Sequence, residues 1–162
     1  GEPMQDPKMP ELRGPDDVVI SKESVVNAPI GIVFDVITDF QLFVELEEKV
    51  ESVTITSDVT EGVGVRSHWV LTEAGTNERW ELDEEVIRYE RPTQYAYVGY
   101  AGGRDYSGVH TLEERPDGTT HHIFNEAFHF DVNVAEYDRI VGGMVANVKR
   151  VAEKRAGNSQ CV

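Results

Sequence analysis

At 162 residues, the chain has the size of one domain with a substantial core. Its 30 acidic residues against 15 basic ones give a formal charge of -15, which repels nucleic acid and anionic membrane surfaces alike, so neither is an expected partner. The single cysteine, Cys161, permits no intrachain disulfide, and there is neither a basic-then-apolar leader nor an apolar run of about 18 residues, which points to a cytoplasmic protein without membrane insertion. A monomer or homodimer is expected.

The first 16 residues hold Pro3, Pro7, Pro10 and Pro15 among acids and are read as a disordered segment outside the fold. Residues 18–26 alternate loosely and are β-branched, a first strand. The period then changes: Ile32, Val33, Val36, Ile37 and Phe40 recur at helical spacing after Asn27, a capping residue, and Pro29, so 28–39 reads as a short helix. A second, weaker one follows through Phe43 and Leu46. Strands are predicted at 50–56 and 65–72, separated by a turn at Gly62 and Gly64, and a further turn at 75–77 leads into a fourth strand.

In that fourth strand Trp80, Leu82, Glu84 and Val86 alternate with Glu81, Asp83, Glu85 and Ile87, giving one wet face and one apolar face that carries a single carboxylate, Glu84. Strands at 95–101, 104–114 and 119–130 follow, joined by hairpins at Gly102-Gly103 and at Pro116 to Gly118. Residues 134–156 form a long helix. Val134, Tyr137, Val141, Met144, Val145, Val148, Val151 and Ala152 fall on one arc of it, basic residues crowd its end, and Gly157 marks its stop before a flexible tail at 157–162.

Hairpin turns fix register. The first hairpin sets Tyr95 opposite His110, Tyr97 opposite Gly108 and Gly99 opposite Tyr106, and the second sets Gly108 opposite Glu126, His110 opposite Phe124 and Leu112 opposite His122. Both agree in parity, so Tyr95, Tyr97, Tyr106, His110, His122, Phe124, Glu126 and Phe128 share a face, and a tight turn at Arg91-Pro92 adds Glu84 opposite Gly99. This is the face of Trp80 and Leu82, hence the concave one. Apolar walls with a few polar groups among them suit a ligand pocket, although Glu84 and Glu126 are also satisfied if Arg79, Arg88 or water meets them at the rim. Gly99 and Gly108 fit sheet curvature as well as pocket space. The row Tyr97, Gly108, Glu126 carries the sharpest expectation: with no side chain between them, Tyr97 leans over Gly108 and donates a hydrogen bond to Glu126.

Other chemistry is not expected. Glu84 and Glu126 lie three strands apart, about 14 Å before curvature, which is too far for a carboxylate dyad. His122 and Glu126 are about 13 Å apart along one strand, so with His110 they do not share an ion. Neither a metal nor a cofactor is predicted, since no Ser-His-Asp spacing, phosphate loop or dinucleotide fingerprint occurs.

The order of elements, Asp39 at a helix end, Gly62-Val63-Gly64, the strand opening with Trp80, the Arg91-Pro92 turn, Asp117-Gly118-Thr119 and the long last helix together resemble the START-related superfamily of lipid-transfer domains and polyketide cyclases, over residues 17–156. That resemblance implies an α+β helix-grip fold: a curved antiparallel seven-stranded sheet wrapped around the C-terminal helix, two short helices between strands 1 and 2, and a deep apolar cavity. Many relatives carry a Trp followed shortly by Pro where this chain has Leu46 and Glu47-Glu48, which implies a different cavity entrance. The expected ligand is a hydrophobic or aromatic small molecule, held by a carrier or sensor and contacted by the concave residues above together with Val141, Met144 and Val145 of the helix. The alternative is a cyclase or aromatase-like enzyme, with Glu126, Tyr97 and His110 as its acid/base candidates.

Overall fold

The computed structural model describes residues 6–47, 49–72 and 78–160, apart from the side chains of 158–160. Strand β1 (Val18–Val26) leads into helix α1 (Ile30–Ile37), a 3-10 turn (Phe40–Leu42) and the short α2 (Phe43–Leu46); β2 (Val50–Ile55), β3 (Arg66–Thr72), β4 (Arg79–Glu90), β5 (Gln94–Tyr100), β6 (Tyr106–Glu114) and β7 (Thr120–Phe128) follow, and α3 (Val134–Gln160) closes the chain. The strands form one antiparallel sheet in the order β1-β7-β6-β5-β4-β3-β2, so the long crossing through α1 and α2 carries the chain from one edge to the other. This is the helix-grip α+β fold. The turn expected at 75–77 lies outside the described residues.

The sheet bends where its registers slip. Ile87 is left unpaired on β4 between Val86 and Arg88, and a second shift falls between Val50 and Ser52 on β2; bulges of this kind bend and twist the strand that carries them. The concave side so formed receives α3 through Val141, Met144, Val145, Val148 and Ala152, all buried. Fully buried apolar side chains of this size contribute about 1.5–3 kcal/mol each, more than enough to offset about 1 kcal/mol apiece for Gly142 and Gly143 inside the helix. Neither glycine is required by close packing: a Cβ at Gly142 would only touch Lys22 Cε at 3.5 Å, and one at Gly143 would face open space.

Three boundaries differ from expectation. Helix α3 runs through Gly157 to Gln160, and its first arc residue, Val134, is exposed because the helix reaches the sheet only from its second turn. Asn27 does not cap α1; its backbone N–H donates instead to the Glu153 carboxylate at 2.8 Å, tying the start of the crossing to α3. Residues 6–10, set aside from the fold on composition, lie against the convex face: the Pro7 carbonyl accepts from Arg88 Nη1 at 2.9 Å and Gln94 Nε2 at 3.0 Å, and that of Lys8 accepts from Asn125 Nδ2 at 2.9 Å. Buried polar side chains on that face supply partners that a proline-rich segment can accept from without a strand of its own.

Candidate functional site: a cavity floored by two tyrosine-glutamate pairs

Left-handed glycines make the hairpins. Gly102 and Gly103 (φ +60° and +95°) close β5-β6 and Gly118 (φ +86°) closes β6-β7, and both expected registers are found. Tyr97 stands opposite Gly108 and Gly108 opposite Glu126; one step along, Glu84 stands opposite Gly99 and Gly99 opposite Tyr106. The outer strands of each row are separated by two strand spacings, about 9.6 Å, a gap that only a side chain lying across the middle strand can span. Both tyrosines do so. A Cβ placed on Gly108 would be 2.6 Å from Tyr97 Cζ, and one on Gly99 would be 2.1 Å from Tyr106 Cζ, so any side chain at either position would occupy the space of the ring. The Tyr97 hydroxyl donates to Glu126 Oε2, and that of Tyr106 donates to Glu84 Oε2 at 2.5 Å. The two rows point in opposite directions, and their rings meet edge to face at 6.2 Å and 76°.

These pairs form the floor of a cavity of about 90 Å³ between the sheet and α3. A water needs roughly 10–15 Å³ of such space, so several waters or one small ring fit without movement of the walls. Trp80, Leu82, Glu84, Tyr95, Tyr97, Tyr106, Glu126, Phe128 and Val141, all expected at the site, line it. Gly108 lies beneath Tyr97 rather than in the wall. Five further expected residues stand away from the cavity walls. His110, His122 and Phe124 do not reach the cavity: His110 and His122 are fully buried, stacked and hydrogen-bonded to each other (Nδ1 to Nε2, 2.9 Å), with Phe124 on the other side of His110 at 4.2 Å. Met144 and Val145 are buried in the α3 core and are not among the cavity walls either. His110, an expected acid/base candidate, therefore does not border the cavity.

The sequence reading did not place the opposite wall and the mouth. Trp69 and Leu71 of β3 stand opposite Leu82 and Trp80 and complete an aromatic wall with Phe40 and Phe43, whose rings meet Trp69 edge-on at 6.5 and 5.6 Å. Their alternation was visible in the sequence, but no hairpin register tied β3 to the rest. Glu47, Lys49, Arg104, Phe130, Tyr137 and Ile140 also face the space. Lys49 is held by Glu136 at 2.7 Å. The rim arginines do not serve the floor carboxyls: Arg79 pairs with Glu51, and Arg88 is bound to Pro7 and Gln94.

Electrostatics follow from enclosure. Glu84 and Glu126 expose part of their surface to the cavity, yet protein surrounds them, and loss of bulk water dominates. Burial pushes Glu126 up to about 8; the Tyr97 hydrogen bond opposes the rise and the Glu47 charge adds to it. Burial likewise carries Glu84 well above the ordinary carboxylate range, against the Tyr106 hydrogen bond and with help from the Glu126 and Glu47 charges. Burial alone lifts Glu47 to about 7. Tyr97 and Tyr106 are pushed up by burial and by the nearby carboxyls, so at neutral pH each pair is a phenol beside a carboxylic acid. Burial holds His110 well below its usual range and His122 down to about 4, leaving that pair neutral. Among the described residues no three His, Cys, Asp or Glu side chains converge as a metal site, and no helix is long and apolar enough to cross a membrane.

Solved structures share this architecture. The ZhuI aromatase/cyclase from a Streptomyces species superposes with a TM-score of 0.70 at 17% identity, covering 86% of this chain and 95% of that one. A Thermus thermophilus protein, TTHA0849, gives 0.67 at 16% identity (86% and 99% covered), and Ara h 8.0201 gives 0.67 at 16% (84% and 97%). At such identities the likeness establishes the fold. No curated protein matches the chain significantly by sequence. The family described as "Polyketide cyclase / dehydrase and lipid transport" matches residues 17–160, nearly the whole described fold. On that match, the chain belongs to the polyketide cyclase / dehydrase and lipid transport family.

Proposed function

We propose that this protein binds a hydrophobic or aromatic small molecule in the cavity between sheet and α3, as a carrier or sensor. The observation that carries the reading is the cavity itself: its walls are mostly aromatic and aliphatic, with Glu47, Lys49 and Arg104 also facing it, and its floor carboxyls are paired by Tyr97–Glu126 and Tyr106–Glu84. A wall of this kind rewards apolar area, and paired polar groups at the floor add orientation without an unmet charge. Family membership agrees with this reading. Thermal unfolding with 2-naphthol tests it. Saturating ligand at about 100 times its Kd raises stability by roughly 2.7 kcal/mol by linkage, and Val141→Phe, which fills the space from α3, removes the shift. Equal melting temperatures with and without 2-naphthol up to its solubility limit would reject the proposal.

A second reading, an enzyme of the cyclase or aromatase type, is favoured by one specific observation. Glu126 holds its proton up to about 8 and shares a hydrogen bond with a phenol at the cavity floor, so a proton donor stands next to any bound guest. Under this reading Glu126→Gln and Tyr97→Phe abolish turnover of a polyketide-like substrate while retaining 2-naphthol binding; turnover that survives both leaves the carrier reading alone.

A further inference from the structure

Resting on the cavity reading, we infer that the guest is an organic cation: a protonated amine on a small aromatic body, with the ammonium group seated at Glu47 above the floor that carries Glu84 and Glu126. Three carboxyl groups in one small aromatic cavity are more than its internal pairing explains. Glu84 and Glu126 each commit one oxygen to a tyrosine, and the other oxygen of each has no hydrogen-bond partner among the described residues. Glu47 commits none: its side chain has neither a hydrogen bond nor an ion pair among the described residues, although it faces the same space. It lies close enough to the other two for its charge to raise both.

The basic residues at the cavity do not answer these acids. Lys49 is engaged by Glu136 at 2.7 Å, Arg104 is exposed at the rim, and neither lowers any of the three carboxyls. The tyrosines that line the same space, Tyr95, Tyr97, Tyr106 and Tyr137, have no protonation state that carries a positive charge. A cation placed there meets the Glu47 carboxylate in a cavity lined by the rings of Trp69, Trp80 and Phe43, two kinds of neighbour that favour a partly desolvated ammonium. A carboxylate guest would meet the reverse, and a neutral guest would gain only area. Because burial raises these acids toward their protonated forms, a cation favours the ionised ones, so its binding releases protons and tightens as pH rises through about 7 to about 8.

Calorimetric titration with 2-phenylethylamine, 2-phenylethanol and 3-phenylpropionate, three probes with one ring and different charge, tests the inference. At pH 7 the amine is expected to bind at least tenfold more tightly than the alcohol, with the carboxylate weakest. The amine's enthalpy should differ between buffers of different ionisation enthalpy in the sense of proton release, and Glu47→Gln should reduce the amine-to-alcohol affinity ratio at least threefold. Amine and alcohol binding equally, a carboxylate binding more tightly than both, or an unchanged ratio in Glu47→Gln overturns the cation. None of the three binding while 2-naphthol still does also overturns it, whereas failure of 2-naphthol as well overturns the cavity reading on which it rests.

Discussion

Replacing Gly108 by alanine puts a methyl group 2.6 Å from both Cζ and the hydroxyl oxygen of Tyr97, about 1 Å inside ordinary contact at roughly 3.5–4.0 Å. Backbone cannot yield there, because Gly108 is paired on both sides within the sheet. Tyr97 must therefore swing toward the cavity, and the hydrogen bond to Glu126 is lost. An enclosed polar group left without its partner costs about 1–3 kcal/mol, while alanine in place of glycine in a strand returns roughly 0.5–1 kcal/mol, so a net loss of about 1–2 kcal/mol is expected. Urea denaturation measures it, and a Tyr97→Ala background isolates the cause: there the methyl meets no ring, and Gly108→Ala should become neutral or stabilising, a coupling of at least about 1 kcal/mol. A second readout is independent of stability. The Tyr97 hydrogen bond favours ionised Glu126, so losing it should move the Glu126 titration above about 8, as followed by carboxyl carbon NMR. Equal costs of Gly108→Ala in both backgrounds, with an unmoved Glu126, would refute the lean of Tyr97 over the glycine.

Gly99→Ala should be more damaging than Gly108→Ala, because its Cβ would fall 2.1 Å from Tyr106 Cζ and within 2.5 Å of both flanking ring carbons; paired denaturation curves settle the ranking. In α3, Gly143→Ala should stabilise the protein by about 1 kcal/mol, since its Cβ would face open space and alanine is the better helix former. Glu126 holds its proton in the folded state up to about 8 but in the unfolded chain only to about 4.3, so its contribution to stability is complete below the unfolded value and is lost as pH rises through about 8. Stability curves of wild type and Glu126→Gln against pH should accordingly run together at low pH, separate in favour of the variant between about 4.3 and about 8, and stay apart above that. His122→Ala should cost about 2–4 kcal/mol by opening a space beside His110, with the 2-naphthol affinity of the folded protein unchanged because neither histidine reaches the cavity.

Turn chemistry made much of the site legible. Gly102-Gly103 and Gly118 fix two registers, and with them the face and order of Tyr95, Tyr97, Tyr106, Glu126 and Phe128, as well as the Tyr97–Glu126 contact. The same alignment puts Glu84, Gly99 and Tyr106 in a second row, whose hydrogen bond mirrors the first. Parity assigns a face but not a depth. His110 and His122 share the face of Glu126, yet they lie farther along their strands, where α1 packs on β6 and the space is filled. Glu47 and Phe43 belong to a crossing whose direction is set by tertiary packing, so no periodicity in their own segment could have aimed them into the cavity. Residues 6–10 carry no local signal of their docking for the same reason: their partners Arg88, Gln94 and Asn125 lie more than 80 positions away on the convex face.

Both tryptophans of the chain, Trp69 and Trp80, stand in the cavity wall, so tryptophan emission reports directly on the space claimed here as a binding site. A 2-naphthol titration followed by quenching of that emission should saturate at one ligand per chain in wild type and vanish in Val141→Phe. Emission that stays flat, or that changes without saturation and equally in the filled variant, would contradict the existence of a ligand site between sheet and α3.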